Sequence, residues 1–153
     1  MTDHDDLTSV RVEQFLPHPP SKVWRALTEP ELIARWLMPG DFRLRVGHRY
    51  TMHGVPVQAT GFSGTVRAEV LAFETGRMLR IGWQDAAPSG DGSAEVDWTI
   101  TWTLEPEGRG TRLFLDHEGF DPDNPIQQRA RTMMGGGWRS HVMRGLEAVL
   151  DDM

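Results

Sequence analysis

A chain of 153 residues is the size of one domain, and its 39% apolar and 25% charged residues, with 16 Gly and 10 Pro, make it globular rather than disordered. Sixteen basic against 22 acidic residues leave a net charge of −6, which argues against a nucleic-acid partner, since no positive surplus exists to release counterions from phosphate. No apolar run approaches the roughly 18 residues of a membrane helix, the acidic start Met1-Thr2-Asp3-His4-Asp5-Asp6 is unlike an export signal, and the absence of Cys removes disulfides, thiolate zinc sites and cysteine nucleophiles. The expectation is one soluble, cytoplasmic domain over residues 1–153, with 1–8 disordered and no membrane insertion.

Val10 to Leu16 reads as a short strand stopped by His18-Pro19-Pro20, because proline cannot donate to a ladder and restricts the residue before it. Ser21 to Leu27 places Val23, Trp24 and Leu27 at helical spacing. Thr28-Glu29-Pro30-Glu31 then has the form of a capping box opening a second short helix, which carries Leu32, Ile33 and Trp36 and ends near Pro39-Gly40.

From residue 41 to 117 the period is two, the signature of half-buried strands. Phe42, Leu44 and Val46 alternate with arginines, Tyr50 and Met52 follow, Gly64 to Phe73 is a further strand, and Leu79, Ile81 and Trp83 obey the same rule. Residues 95 to 105 show the pattern most clearly: Val96, Trp98, Ile100, Trp102 and Leu104 share one face, while acidic and threonine side chains share the other. Ala86 to Ser93 has the composition of a flexible connection. The turn cluster from Pro106 to Gly110 joins residues 95 to 105 to Thr111–His117 as an antiparallel hairpin.

Asp123-Asn124-Pro125 reads as a helix cap followed by a first-turn proline. Ile126, Ala130, Met133, Met134, Trp138, Val142, Leu146, Val149 and Leu150 then trace one stripe along a helix of about 25 residues, close to 38 Å long. One strand, two short helices, about six antiparallel strands and a long terminal helix make an α+β layer plan.

The stretch from Pro19 to Leu32 with Trp36 after it, Gly64-Thr65-Val66 with Glu69-Val70, His117-Glu118-Gly119-Phe120, and Gly137-Trp138 together resemble the Hsp90-ATPase-activator-homologue branch of the START/Bet v 1-like (SRPBCC) superfamily, in the right order over nearly the whole chain. The resemblance implies a helix-grip fold, a curved antiparallel sheet of about six to seven strands around the C-terminal helix, with an internal cavity that in many relatives accepts an apolar small molecule. It implies no catalytic motif, and none is assigned here.

The six tryptophans, at 24, 36, 83, 98, 102 and 138, need no ligand to justify them. Burying one removes roughly 150–250 Å² from water, about 4–6 kcal/mol as an upper bound. Trp24 and Trp36 read as core; Trp83, Trp98, Trp102 and Trp138 fit packing and pocket lining equally. Met133-Met134-Gly135-Gly136-Gly137-Trp138 is the anomaly, because three glycines inside a helix cost about 3 kcal/mol relative to alanine. They leave room for a guest or permit a kink beside two adaptable thioethers, or they mark a close helix-to-sheet approach or a helix that starts only after Gly137. His48 and His53 face opposite ways in a strand, and the other histidines lack ligand spacing, so no metal or other cofactor is expected. His117 follows Leu113 and Leu115 at period two and points inward, whereas Asp116 and Glu118 alternate away from it and cannot form a triad.

The candidate lining is therefore Trp36, Phe42, Tyr50, Met52, Trp83, Trp98, Trp102, His117, Met133, Met134 and Trp138. The leading expectation is a non-enzymatic binding protein for an apolar or amphipathic small molecule. The alternatives are a cyclase- or dehydratase-like enzyme using His117 in the same cavity, and a regulator of an Hsp90 homologue, ranked last because full activators carry a further N-terminal domain. Aromatic surface is also compatible with a homodimer.

Overall fold

The computed structural model describes residues 7–54, 63–85 and 97–153. The order is β1 (Ser9–Leu16), α1 (Pro20–Thr28), α2 (Pro30–Trp36), β2 (Arg49–His53), β3 (Thr65–Glu74), β4 (Met78–Asp85), β5 (Trp98–Glu107), β6 (Gly110–Glu118), α3 (Pro125–Gly137), a π-helical turn (Trp138–Val142) and α4 (Met143–Asp152). The expected beginning of β5 at Glu95 and Val96, the connection 86–93 and residues 1–6 lie outside the described residues.

The six described strands form one curved antiparallel sheet in the order β1-β6-β5-β4-β3-β2. Pairing aligns the apolar alternates across it: Val10 faces His117, His117 faces Ile100, Ile100 faces Ile81, and Ile81 faces Val70. One face is thus continuously apolar, while Arg11–Asp116 and Arg49–Glu69 ion pairs occupy the other. Such exposed pairs contribute little to stability. The β5–β6 hairpin forms with the expected partners, ending at Glu107 opposite Gly110.

Several local readings differ from the structure. Thr28 and Glu31 make no capping box: the Thr28 hydroxyl donates to the Trp24 carbonyl inside α1, and Pro30 starts α2 with its ring already at a helical φ. The alternating segment 42–46 is not a strand. Phe42 is buried but Val46 is 59% exposed, and the chain turns at Gly47, whose φ is +89°, so that Gly47 and His48 bond to Val70 at the edge of β3. The run from 41 to 117 therefore contributes five described strands, not six. A register shift between Val70 and Ala72 turns Leu71 outward. Thr8 is held rather than free, its carbonyl accepting from the Gly119 and Phe120 amides at 3.1 Å each.

The terminal helix is one rod with a fault in its middle. Asn124 caps it, accepting from the Ile126 and Gln127 amides. All three glycines are helical, so the helix does not begin after Gly137. The turn that follows is wider, with the Met143 amide bonding back five residues to the Trp138 carbonyl. Its extra residue advances the buried stripe from Trp138 to Met143, while Val142 is only half-buried. The Arg35–Asp152 ion pair and a 2.9 Å hydrogen bond between His18 Nε2 and Asp151 tie the end of the rod to α2 and to the segment before α1.

Two glycine substitutions should move stability in opposite directions. Gly119 has φ +107°, and a Cβ there would lie 2.7 Å from the Asp97 carbonyl oxygen; Gly119→Ala should cost about 1–3 kcal/mol. Among the described residues a Cβ on Gly136 meets nothing within 4 Å, so Gly136→Ala should gain up to about 1 kcal/mol from helix propensity alone. Urea unfolding of the two variants checks both signs.

Candidate functional site

The sheet's alternation sends His117 from β6 and Trp98 and Trp102 from β5 to the inner face, with Trp83 beside Trp98 in register on β4. The helix supplies Trp138 from above. His117 has 0% exposure and is ringed by aromatics: Phe120 at 4.6 Å between ring centroids, Trp98 at 4.7 Å, Trp138 at 6.1 Å and Trp83 at 6.5 Å. Trp138 continues to Trp102 at 6.3 Å, and Trp102 to Trp36 at 6.2 Å, both edge to face. Aromatic contacts therefore run from α2 across the interior to the end of β6.

One polar contact joins sheet to helix inside this cage. The Trp138 indole N–H donates to His117 Nδ1 at 3.0 Å. Indole nitrogen can only donate, so Nδ1 must carry a lone pair and the neutral ring bears its proton on Nε2. That N–H has no hydrogen-bond partner, and neither does the buried Trp98 Nε1–H, among the described residues. Burial pushes the His117 pKa down from 6.5 to about 3, because the cage holds nothing to solvate an imidazolium.

The expected lining residues divide by position. Trp36, Trp83, Trp98, Trp102, His117 and Trp138 join through the ring contacts above. Trp36 also has a plain structural task, its indole N–H donating to the Ala26 carbonyl at 2.8 Å and so clamping α2 to α1. Phe42 and Tyr50 form a separate edge-to-face pair at 5.4 Å, with His48 stacked on Tyr50 at 5.7 Å; burial, and secondarily Asp41, raise the Tyr50 phenol pKa. Met52 is 1% exposed on β2, and Met134 packs half-buried against the core. Met133 does not belong with them. It is 46% exposed, since five residues before Trp138 is about 140° round the helix. Asp116 points outward to Arg11, so His117 has no carboxylate beside it in the strand.

Phe120, the ring nearest His117, was absent from the sequence-derived set. Its signal was Gly119: the positive φ there turns the chain back at the end of β6, and the Thr8 carbonyl holds both amides. Of Gly135, Gly136 and Gly137, only Gly135 approaches the sheet among the described residues, a Cβ on it falling 3.2 Å from the Arg139 guanidinium and 3.5 Å from Val10. Gly137 is half-buried, yet a Cβ there meets nothing within 4 Å.

Residues 17–151 match the model of the Activator of Hsp90 ATPase homolog 1-like family. The chain belongs to that family. Protein MLL2253 from Mesorhizobium loti is 36% identical, with a TM-score of 0.80, the match covering 95% of this chain and 98% of that one. CalU16 from Micromonospora echinospora is 25% identical with a TM-score of 0.70, over 93% of this chain and 75% of its own. PFC0360w, an Hsp90 activator from Plasmodium falciparum, shares the fold at 17% identity and a TM-score of 0.69, covering 94% and 96%. No curated protein matches the chain. Within this family the six-stranded sheet and long terminal helix are the helix-grip arrangement that the sequence implied. Among the described residues no helix is long and apolar enough to cross a membrane.

The buried imidazole sets a pH dependence of known sign. Above pH 6.5 the ring is neutral in both folded and unfolded chains. Below it the unfolded chain takes up a proton that the folded ring refuses until about pH 3, so stability falls with acid. Between pH 6 and 5 the loss should approach about 1.4 kcal/mol from this residue. His117→Gln should flatten the urea-unfolding stability across that interval by the same amount; an unchanged slope would mean that the folded ring accepts a proton.

Proposed function

We propose that this protein binds an apolar or amphipathic small molecule between the inner face of the sheet and the terminal helix, without transforming it. The observation that carries this reading is the construction of the helix over the aromatic cage. Three glycines run directly into a π turn at Trp138, the glycines costing about 3 kcal/mol in helix propensity, and two of the three, Gly136 and Gly137, have no neighbour among the described residues that a methyl group would strike. Packing against the described residues does not require Gly136 or Gly137 to be glycine. A helix weakened at that point can bend away from the cage and admit a guest, and π turns are frequent at functional sites. The lining proposed is Trp36, Phe42, Tyr50, Met52, Trp83, Trp98, Trp102, His117, Met134 and Trp138, to which Phe120 is added.

The enzymatic reading is weaker. A general acid or base works best with a pKa near the working pH, whereas burial holds His117 at about 3. The other buried hydroxyl side chains among the described residues are Ser9, Tyr50, Thr101 and Thr111; the Tyr50 phenol is pushed up by burial, so none of them titrates in that range. Regulation of an Hsp90 homologue is suggested by the family description alone, and the likeness to the Plasmodium activator extends only to the fold. A cytoplasmic setting suits a chain without cysteine.

The test is a panel of a fatty acid, a sterol and fused-ring aromatic compounds, read by tryptophan fluorescence and melting temperature. At least one class should change the fluorescence and raise the Tm, since a guest that binds only the folded state stabilises it by mass action. The double variant Gly136→Ala/Gly137→Ala should melt about 4–8 °C higher without ligand and take up the same guest more slowly. No response to any class would overturn the binding reading, and unchanged uptake by the double variant would overturn the role given to the glycines.

A further inference from the structure

Among the described residues, two buried ring hydrogen-bond donors of the interior find no acceptor. Trp98 Nε1 and His117 Nε2 are both buried without a partner among the described residues, on rings whose centroids are 4.7 Å apart. They project from adjacent strands to the same face, His117 opposite Ile100, the residue two beyond Trp98 on β5. The identity of the His117 donor is fixed from the helix side: Trp138 occupies Nδ1, which leaves the proton on the unpartnered nitrogen. Leaving a buried donor unmet costs more than a made bond returns, and native interiors leave few such groups. Two on neighbouring rings mark a place where an acceptor belongs.

The surroundings define what that acceptor can be. The rings around His117 are Trp83, Trp98, Phe120 and Trp138. Among the described residues no lysine or arginine is buried, so a carboxylate or phosphate would enter without a counter-charge and pay for its desolvation in full. Two N–H groups match the two lone pairs of one uncharged oxygen, and ring faces match a flat apolar body.

Resting on the reading of this interior as a binding site, we propose that Trp98 Nε1–H and His117 Nε2–H form its polar anchor and select an uncharged guest that carries a carbonyl oxygen on a flat apolar framework. The neutral state of His117 persists across the physiological range, so the anchor stays a donor pair rather than becoming a cation that would invite anions.

Matched pairs of compounds that differ only in the carbonyl test this: 1-indanone against indane, and 9-fluorenone against fluorene, with fluorene-9-carboxylate as the charged analogue. In at least one pair the ketone should bind roughly tenfold tighter than its hydrocarbon, and the carboxylate should bind more weakly than 9-fluorenone. Trp98→Phe keeps an aromatic body and removes the N–H; it should reduce the ratio of ketone to hydrocarbon affinity. Because that variant can be destabilised, the wild type supplies a second readout: in nitrogen-15-labelled protein the Trp98 indole and His117 ring N–H signals should shift with the ketone and not with the hydrocarbon. Equal binding of ketone and hydrocarbon with both signals unmoved would overturn the anchor and leave the binding reading intact. Tighter binding of the carboxylate would overturn the uncharged guest. Exchange cross-peaks from both N–H groups to a bound water that survives ketone addition would assign the acceptor to solvent and overturn the proposal. Failure of these compounds and of the whole panel above would remove the binding reading and this anchor together.

Discussion

The contact between the Trp138 indole N–H and His117 Nδ1 is the point on which the interior turns. It joins the terminal helix to the sheet inside an aromatic cage, where burial of both partners strengthens a hydrogen bond and where its loss leaves polar groups stranded. It also dictates chemistry at a distance of one ring. By occupying Nδ1 it assigns the proton to Nε2, and by holding the imidazole among apolar rings it keeps that proton count fixed. An imidazole tied in this way is a permanent donor facing inward, not a titrating switch.

The helix that supplies Trp138 is built against its own stability at this spot. Glycines precede the tryptophan, and a π turn follows it. At the ends the rod is well secured, by the Asn124 cap at one and by Leu146, Val149 and Leu150 in the core at the other. The weak middle thus lies between two anchored segments, above the cage, and at Gly136 and Gly137 the lost propensity has no packing return among the described residues.

Much of this was legible in the sequence because it followed simple periods. Trp98, Ile100, Trp102 and Leu104 alternate without interruption, so their common face could be read directly, and His117 inherited its inward direction from Leu113 and Leu115. Phe42, Leu44 and Val46 alternate too, but between Pro39-Gly40 and Gly47 the segment is too short and too bounded by turns to pair, and it became a loop docked on β3. Met133 was misplaced because the apolar stripe was drawn wide enough to include it, whereas the helix buries Gly135 on that turn. Met143 was missed since the π turn adds a residue that no regular spacing anticipates. Phe120 lies beyond the last strand, where a glycine turn and not a period sets direction. The unpartnered donors could not be read at all: whether a buried N–H finds an acceptor depends on which side chains meet in space, and sequence spacing is silent on that.

The central claim is that His117 is held neutral with its proton on Nε2 by the helix above it. Nitrogen-15 chemical shifts of the His117 ring in selectively labelled protein at pH 5.5 measure this directly. The account predicts a protonated Nε2 and an unprotonated Nδ1, unchanged from pH 7.5. Two protonated nitrogens, or a proton on Nδ1, would contradict it, because either state is incompatible with the tryptophan donating there.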